Sequence, residues 1–173
     1  MHIDVRCAEM TVQLTVEAAA FIKALLSVSP PPDEVWLIGS RANGRETNES
    51  DTDLLVFGSS EFAAALKTHV ASPERIDCLV TIDGDNYQDP WQQKSGSLTE
   101  LKWEKTDESS ATYIGVAWDP DEEASRESEA DMGDLVCLNE RAIRVHPTSA
   151  PSNAFSTDEK TRSAERRWRS LGV

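Results

Sequence analysis

Two short apolar runs, Val35-Trp36-Leu37-Ile38 and Leu54-Leu55-Val56-Phe57, flank a polar stretch that opens with Gly39-Ser40 and closes with Asp51-Thr52-Asp53. Each run is too short for a buried helix and reads as a buried strand. Gly39 and Ser40 end the first strand and enter a turn. Glycine there lets an anion approach the backbone closely, and the Ser40 hydroxyl adds a donor. Asp51 and Asp53 are two apart, so on a strand both leave the same face, while Thr52, Leu54 and Val56 point the other way into the core. Carboxylates sharing a face repel one another, and a hard dication relieves that repulsion. A third strand, expected over residues 75–82, carries Asp77 in an otherwise apolar run. Beside the second strand, it completes a three-carboxylate cluster able to hold two magnesium ions against the oxygens of a phosphoryl displacement.

The flanking elements follow from periodicity and punctuation. Residues 15–28 are rich in helix formers, with Ala18, Phe21, Ile22, Leu25 and Leu26 on one stripe, and Pro30-Pro31-Pro32 ends the helix. Ser60 is expected to cap a helix over residues 61–70 that turns Phe62, Leu66 and Val70 inward. Beyond Gly84 the expected strands are 98–104 and 112–118, joined by a polar turn. A short hairpin follows, with arms 135–138 and 142–145 about Asn139-Glu140. Residues 119–131 read as an acidic, core-poor loop, and Ser156 with Glu159 has the spacing of a capping box opening a terminal helix through Trp168. The expected fold is α/β (α+β): a mixed sheet flanked by helices, with a β-rich C-terminal extension and a terminal helix. Residues 1–90 form the core, and residues 91–173 are expected to pack on it as one domain.

Charge narrows the function. Of 173 residues, 17 are Lys or Arg against 31 Asp or Glu, a formal net charge of −14. Such a field repels polyphosphate backbones, which argues against a polynucleotide partner. No apolar run approaches the roughly 20 residues needed to cross a bilayer, so no membrane role is expected. The first residues lack the pattern of a secretion signal. Cys7, Cys78 and Cys137 are scattered and odd in number, which suits reduced thiols and a cytoplasmic location. His2, His69 and His146 lie at no zinc spacing to them.

In Gly39-Ser40, Asp51-Thr52-Asp53 and the later Asp77, the sequence resembles the DNA polymerase beta-type nucleotidyltransferase superfamily, nearest its small single-core, minimal members. The resemblance covers about residues 15–82. It implies magnesium-dependent transfer of a nucleoside monophosphate from a nucleoside triphosphate to a hydroxyl, with pyrophosphate leaving. By position it implies that Gly39 and Ser40 hold the β- and γ-phosphates and that Asp51 and Asp53 ligate both metals. It further implies that Asp77 ligates the catalytic metal and helps activate the nucleophile. Arg41 and Arg45, beside the phosphate turn, can neutralise triphosphate charge, and read equally as surface charges. The family's long helical second domain has no counterpart after Asp77. A β-rich extension with Trp91, Trp103 and Trp118 stands there instead.

The plainer readings bear on the same residues. Asp83 and Asp85 lie close enough to compete with Asp77, although Asp83-Gly84-Asp85-Asn86 more simply makes a turn. Trp91 and Trp103 are expected in the core rather than stacked on a base. Cys78 reads as a small buried residue. The expected acceptor is a small molecule or a protein. The alternative is a non-catalytic nucleotide- or partner-binding module on the same fold, antitoxin-like, in which a protein partner supplies the missing helical surface.

Overall fold

The computed structural model describes residues 12–118 and 135–147. Its first helix, α1 (Val16–Leu26), begins where Thr15 accepts a hydrogen bond from the Ala18 amide and buries Ala18, Phe21, Ile22 and Leu25. The triple proline separates it from β1 (Glu34–Ile38). A single helical turn, α2 (Gly39–Ala42), leads by a polar loop into β2 (Thr52–Phe57). Helix α3 (Ser60–His69) then crosses over to β3 (Ile76–Thr81), which lies parallel to β2 in register from Thr52–Ile76 to Phe57–Thr81. Parallel neighbours need such a crossover, and α3 supplies it. The cap of α3 is Ser59, one residue earlier than expected: its hydroxyl accepts from the Phe62 amide at 3.1 Å.

The later strands join the same sheet. These are β4 (Asn86–Gln88), β5 (Ser95–Ser97), β6 (Glu104–Lys105), β7 (Ser110–Trp118) and β8 (Leu135–His146). The sheet has eight strands in the order β5-β4-β3-β2-β1-β8-β7-β6, and every pairing except β2–β3 is antiparallel. The expected hairpin about Asn139-Glu140 is absent. Both residues lie inside one continuous strand, with Asn139 opposite Ile114 and Glu140 opposite Tyr113. Residues 98–103 are not a strand either. They form a turn that drops Leu98 and Trp103 against the sheet, leaving only the two-residue β6 to pair with β7. The acidic loop 119–131 and the terminal helix lie outside the described residues.

The sheet carries a core on each face. On one, α1 and α3 pack over Val35, Leu37, Leu54, Val56, Cys78 and Val80. On the other, Trp36, Leu55, Leu79, Leu98 and Tyr113 pack together with Trp103. Trp103 meets Trp36 edge-on at 5.4 Å, and Trp91 meets Phe21 of α1 at 6.1 Å, so both tryptophans serve packing, as expected. Burial pushes the Cys78 thiol up, consistent with an inert core cysteine. No helix among the described residues is long and apolar enough to cross a membrane.

Candidate active site

Asp53 and Asp77 are register partners on parallel β2 and β3, so their side chains leave one face of the sheet side by side. They share that face with Leu55 and Leu79 and stand at the rim of the second core, half-buried. Asp51, just before β2, is exposed, and its Oδ1 lies 3.4 Å from Arg75 Nε. Burial first, then the charges of Asp77 and Asp51, push the Asp53 carboxyl up to about 6 against the pull of Lys94 and Arg41. No hydrogen bond to a described residue offsets that push. Asp53 is therefore a carboxylate with its charge poorly compensated, the condition a divalent cation relieves.

Gly39 lies directly beneath it. Its φ of +71° is one that side-chain-bearing residues rarely adopt, and a Cβ here would collide with the Asp53 carboxylate. The Gly39 amide donates to Tyr113 Oη at 2.8 Å, which ties the start of α2 to β7. Burial pushes the Tyr113 phenol up to about 12, helped by the charges of Glu140 and Asp53, so the phenol is neutral near pH 7. Asn43 fixes the other end of α2. Its amide nitrogen donates to the carbonyls of Gly39 and Arg141, and its Oδ1 accepts from the Arg141 amide at 2.9 Å. Ser40 is half-buried on this braced turn, and its carbonyl accepts from the amides of Asn43 and Arg45.

The two arginines beside the turn have structural partners. Arg41 donates to the carbonyls of Ser50 at 2.7 Å and Asp51 at 3.2 Å, which sets the entry into β2. Arg45 pairs with Glu140, a carboxylate only 6% exposed within β8. Asp77 has a cation of its own: Lys94 Nζ lies 2.6 Å from Asp77 Oδ2. Among the described residues no three His, Cys, Asp or Glu side chains converge as a metal cage. Asp51 is turned toward Arg75 and Asp77 toward Lys94, which leaves Asp53 between them.

Asp83 and Asp85 make the turn expected of them. Asp83 Oδ1 accepts from the amides of Asp85 and Asn86, and Asp85 Oδ1 accepts from the Thr99 amide. A cavity of about 620 Å3 opens between α3 and the β4–β5 ribbon, lined in part by Lys67, Ile82, Tyr87 and Gly96. It includes none of Asp51, Asp53 and Asp77. Lys94, Tyr113, Asn43 and Glu140 shape the site without having been singled out in the sequence. Each acts on a residue far along the chain.

Residues 19–117 match the family model of the nucleotidyltransferase domain. The chain belongs to that family. The matched stretch runs from within α1 to β7 and so contains Gly39-Ser40 and all three acids. Neither curated proteins nor solved structures gave a match to the chain. Membership in the nucleotidyltransferase family supports nucleotidyl transfer as the general chemistry, with a nucleotide as substrate.

Proposed function

We propose that this protein transfers a nucleoside monophosphate from a nucleoside triphosphate to a hydroxyl of a small molecule or protein, with magnesium bound at the acids. The observation that carries the proposal is the in-register pair Asp53–Asp77 set over the Gly39 turn. Asp53, with Asp51 and Asp77 beside it, would hold magnesium, and the donor chemistry fits: hard carboxylate oxygens around an undercompensated charge. When bound, the ion supplies charge stabilisation to the phosphates. Ser40 and the Gly39 turn hold the β- and γ-phosphates, and Arg41 adds positive charge beside them, while the charge of Arg45 is taken up by Glu140. The acceptor oxygen attacks the α-phosphorus, the bond to the β-bridging oxygen breaks, and pyrophosphate leaves. Asp77 draws off the acceptor's proton as charge develops on that oxygen. The balance of 17 basic against 31 acidic residues favours a small-molecule or protein acceptor over a polynucleotide.

A second reading has its own support. Lys94 and Arg75 engage two of the three acids, as they would in a module that binds a nucleotide or a protein partner without turning over. Calorimetry beside product assay for wild type and Asp77→Asn separates the two. Transfer predicts triphosphate binding retained in the variant and turnover reduced by about a thousandfold or more, roughly 4 kcal/mol. Wild-type binding without product in any acceptor class supports the binding module.

A further inference from the structure

Lys94 differs from an ordinary surface lysine in how its backbone is held. It closes the loop between β4 and β5, and Asp89, only 1% exposed, organises that loop. Asp89 Oδ1 accepts from the amides of Trp91 at 2.8 Å and Gln92 at 2.9 Å, while the Asp89 amide donates to the Lys94 carbonyl at 2.8 Å. Trp91, inside the same loop, is seated against Phe21 of α1. The buried Asp89 carboxylate at one end and the Asp89–Lys94 backbone hydrogen bond at the other thus fix the segment that presents the lysine. From that anchored position the ammonium reaches Asp77 Oδ2 at 2.6 Å, and its charge acts on Asp53 as well. A cation brought this close occupies a lone pair that a metal ion would need, and its positive charge repels a second dication from the same carboxylate.

We propose that Lys94 is the resident second cation of the site, so that one divalent ion, held through Asp53 and Asp51, works beside a fixed ammonium on Asp77 rather than beside a second metal. This modifies the expectation of two magnesium ions and rests on the nucleotidyl-transfer reading of the same acids. The ammonium supplies one positive charge where a metal would supply two. It cannot be removed by chelation and depends on no metal concentration. It also keeps Asp77 from being drawn into a shared metal cage when the nucleotide is absent.

The test is the number of manganese ions bound per chain, read by calorimetry and by loss of the free-ion paramagnetic signal, for the full chain and four variants. Lys94→Met is expected to bind one more Mn2+ than wild type, and Lys94→Met with Asp77→Asn to lose that extra ion. Lys94→Arg, which keeps the charge, is expected to match wild type. Equal counts and affinities in wild type and Lys94→Met would overturn the proposal, and so would an extra ion in Lys94→Arg. Asp53→Asn tests the underlying reading separately. It is expected to bind one ion fewer than wild type, and an unchanged count in that variant removes the metal site itself, whatever Lys94 does. Since the Lys94 side chain is about half exposed, thermal melting of the Lys94 variants should stay close to wild type and so certify their folds.

Discussion

The Asp53 carboxylate occupies the space that a Cβ on Gly39 would need. This one contact joins the turn after β1 to the start of β2 and brings the proposed phosphate turn against the proposed metal ligand. Gly39→Ala should therefore be costly in two ways. Its φ of +71° disfavours a side chain by about 1 kcal/mol or more, and the collision displaces either the turn or Asp53. A fall in melting temperature together with weaker manganese binding is expected. A variant that melts like wild type would show that the turn relaxes freely.

Tyr113→Phe removes the oxygen that accepts the Gly39 amide proton, leaving a partly buried donor without its partner. The expected loss is about 1–2 kcal/mol. Hydrogen exchange at Gly39 should speed up while exchange in the centre of β2 stays protected at low denaturant. Unchanged exchange at Gly39 would mean that the amide finds another acceptor.

Stability should depend on pH through Asp53. Its folded carboxyl, pushed up to about 6 from an ordinary value near 3.8, keeps its proton over a range where the unfolded chain has lost it. This contribution to stability falls as pH rises through roughly 4 to 6 and stays lost above that. Asp53→Asn removes the deficit, so it should be more stable than wild type at pH 7.5 by on the order of 1–2 kcal/mol, with a smaller gap at pH 5. Denaturant melts at the two pH values check this, and magnesium should narrow the gap at pH 7.5 by stabilising wild type alone. A gap that widens toward pH 5 would reverse the assigned sign.

Glu140 is nearly inaccessible and Arg45 is its cation. Arg45→Ala should leave an uncompensated charge under β7 and β8 and destabilise by about 1–3 kcal/mol. Adding Glu140→Gln should recover most of that loss, because a neutral amide needs no counter-ion. A double variant no more stable than Arg45→Ala would argue that Arg45 contributes packing rather than charge.

The sheet's centre was legible because its signals are local. The stripe of α1 and the apolar cores of β1, β2 and β3 were each readable within a few residues. Asp53 and Asp77 come together because β2 and β3 are adjacent and in register. The rest depends on distant partners. Strands β4 and β5, Asn-Tyr-Gln and Ser-Gly-Ser, have no apolar signal of their own and exist through backbone pairing with each other and with β3. Asn139-Glu140 has turn chemistry, yet nine pairs with β7 keep the strand straight through it, and Arg45 neutralises the buried acid. Leu98, Leu101 and Trp103 suggested a strand, but their spacing serves a turn that packs the second core. The pairing of Lys94 with Asp77 spans 17 positions and has no local sign.

Pyrophosphate release tests the central claim most directly. Wild type, Asp53→Asn and Asp77→Asn are incubated with magnesium and each of the four ribonucleoside triphosphates, labelled at the α-phosphate, over a panel of small hydroxylic acceptors and a protein extract. Nucleotidyl transfer predicts that wild type releases pyrophosphate in step with α-label entering an acceptor, and that either asparagine substitution or removal of magnesium abolishes both. Wild type that binds triphosphate but releases no pyrophosphate with any acceptor, or equal release from all three proteins, would contradict it.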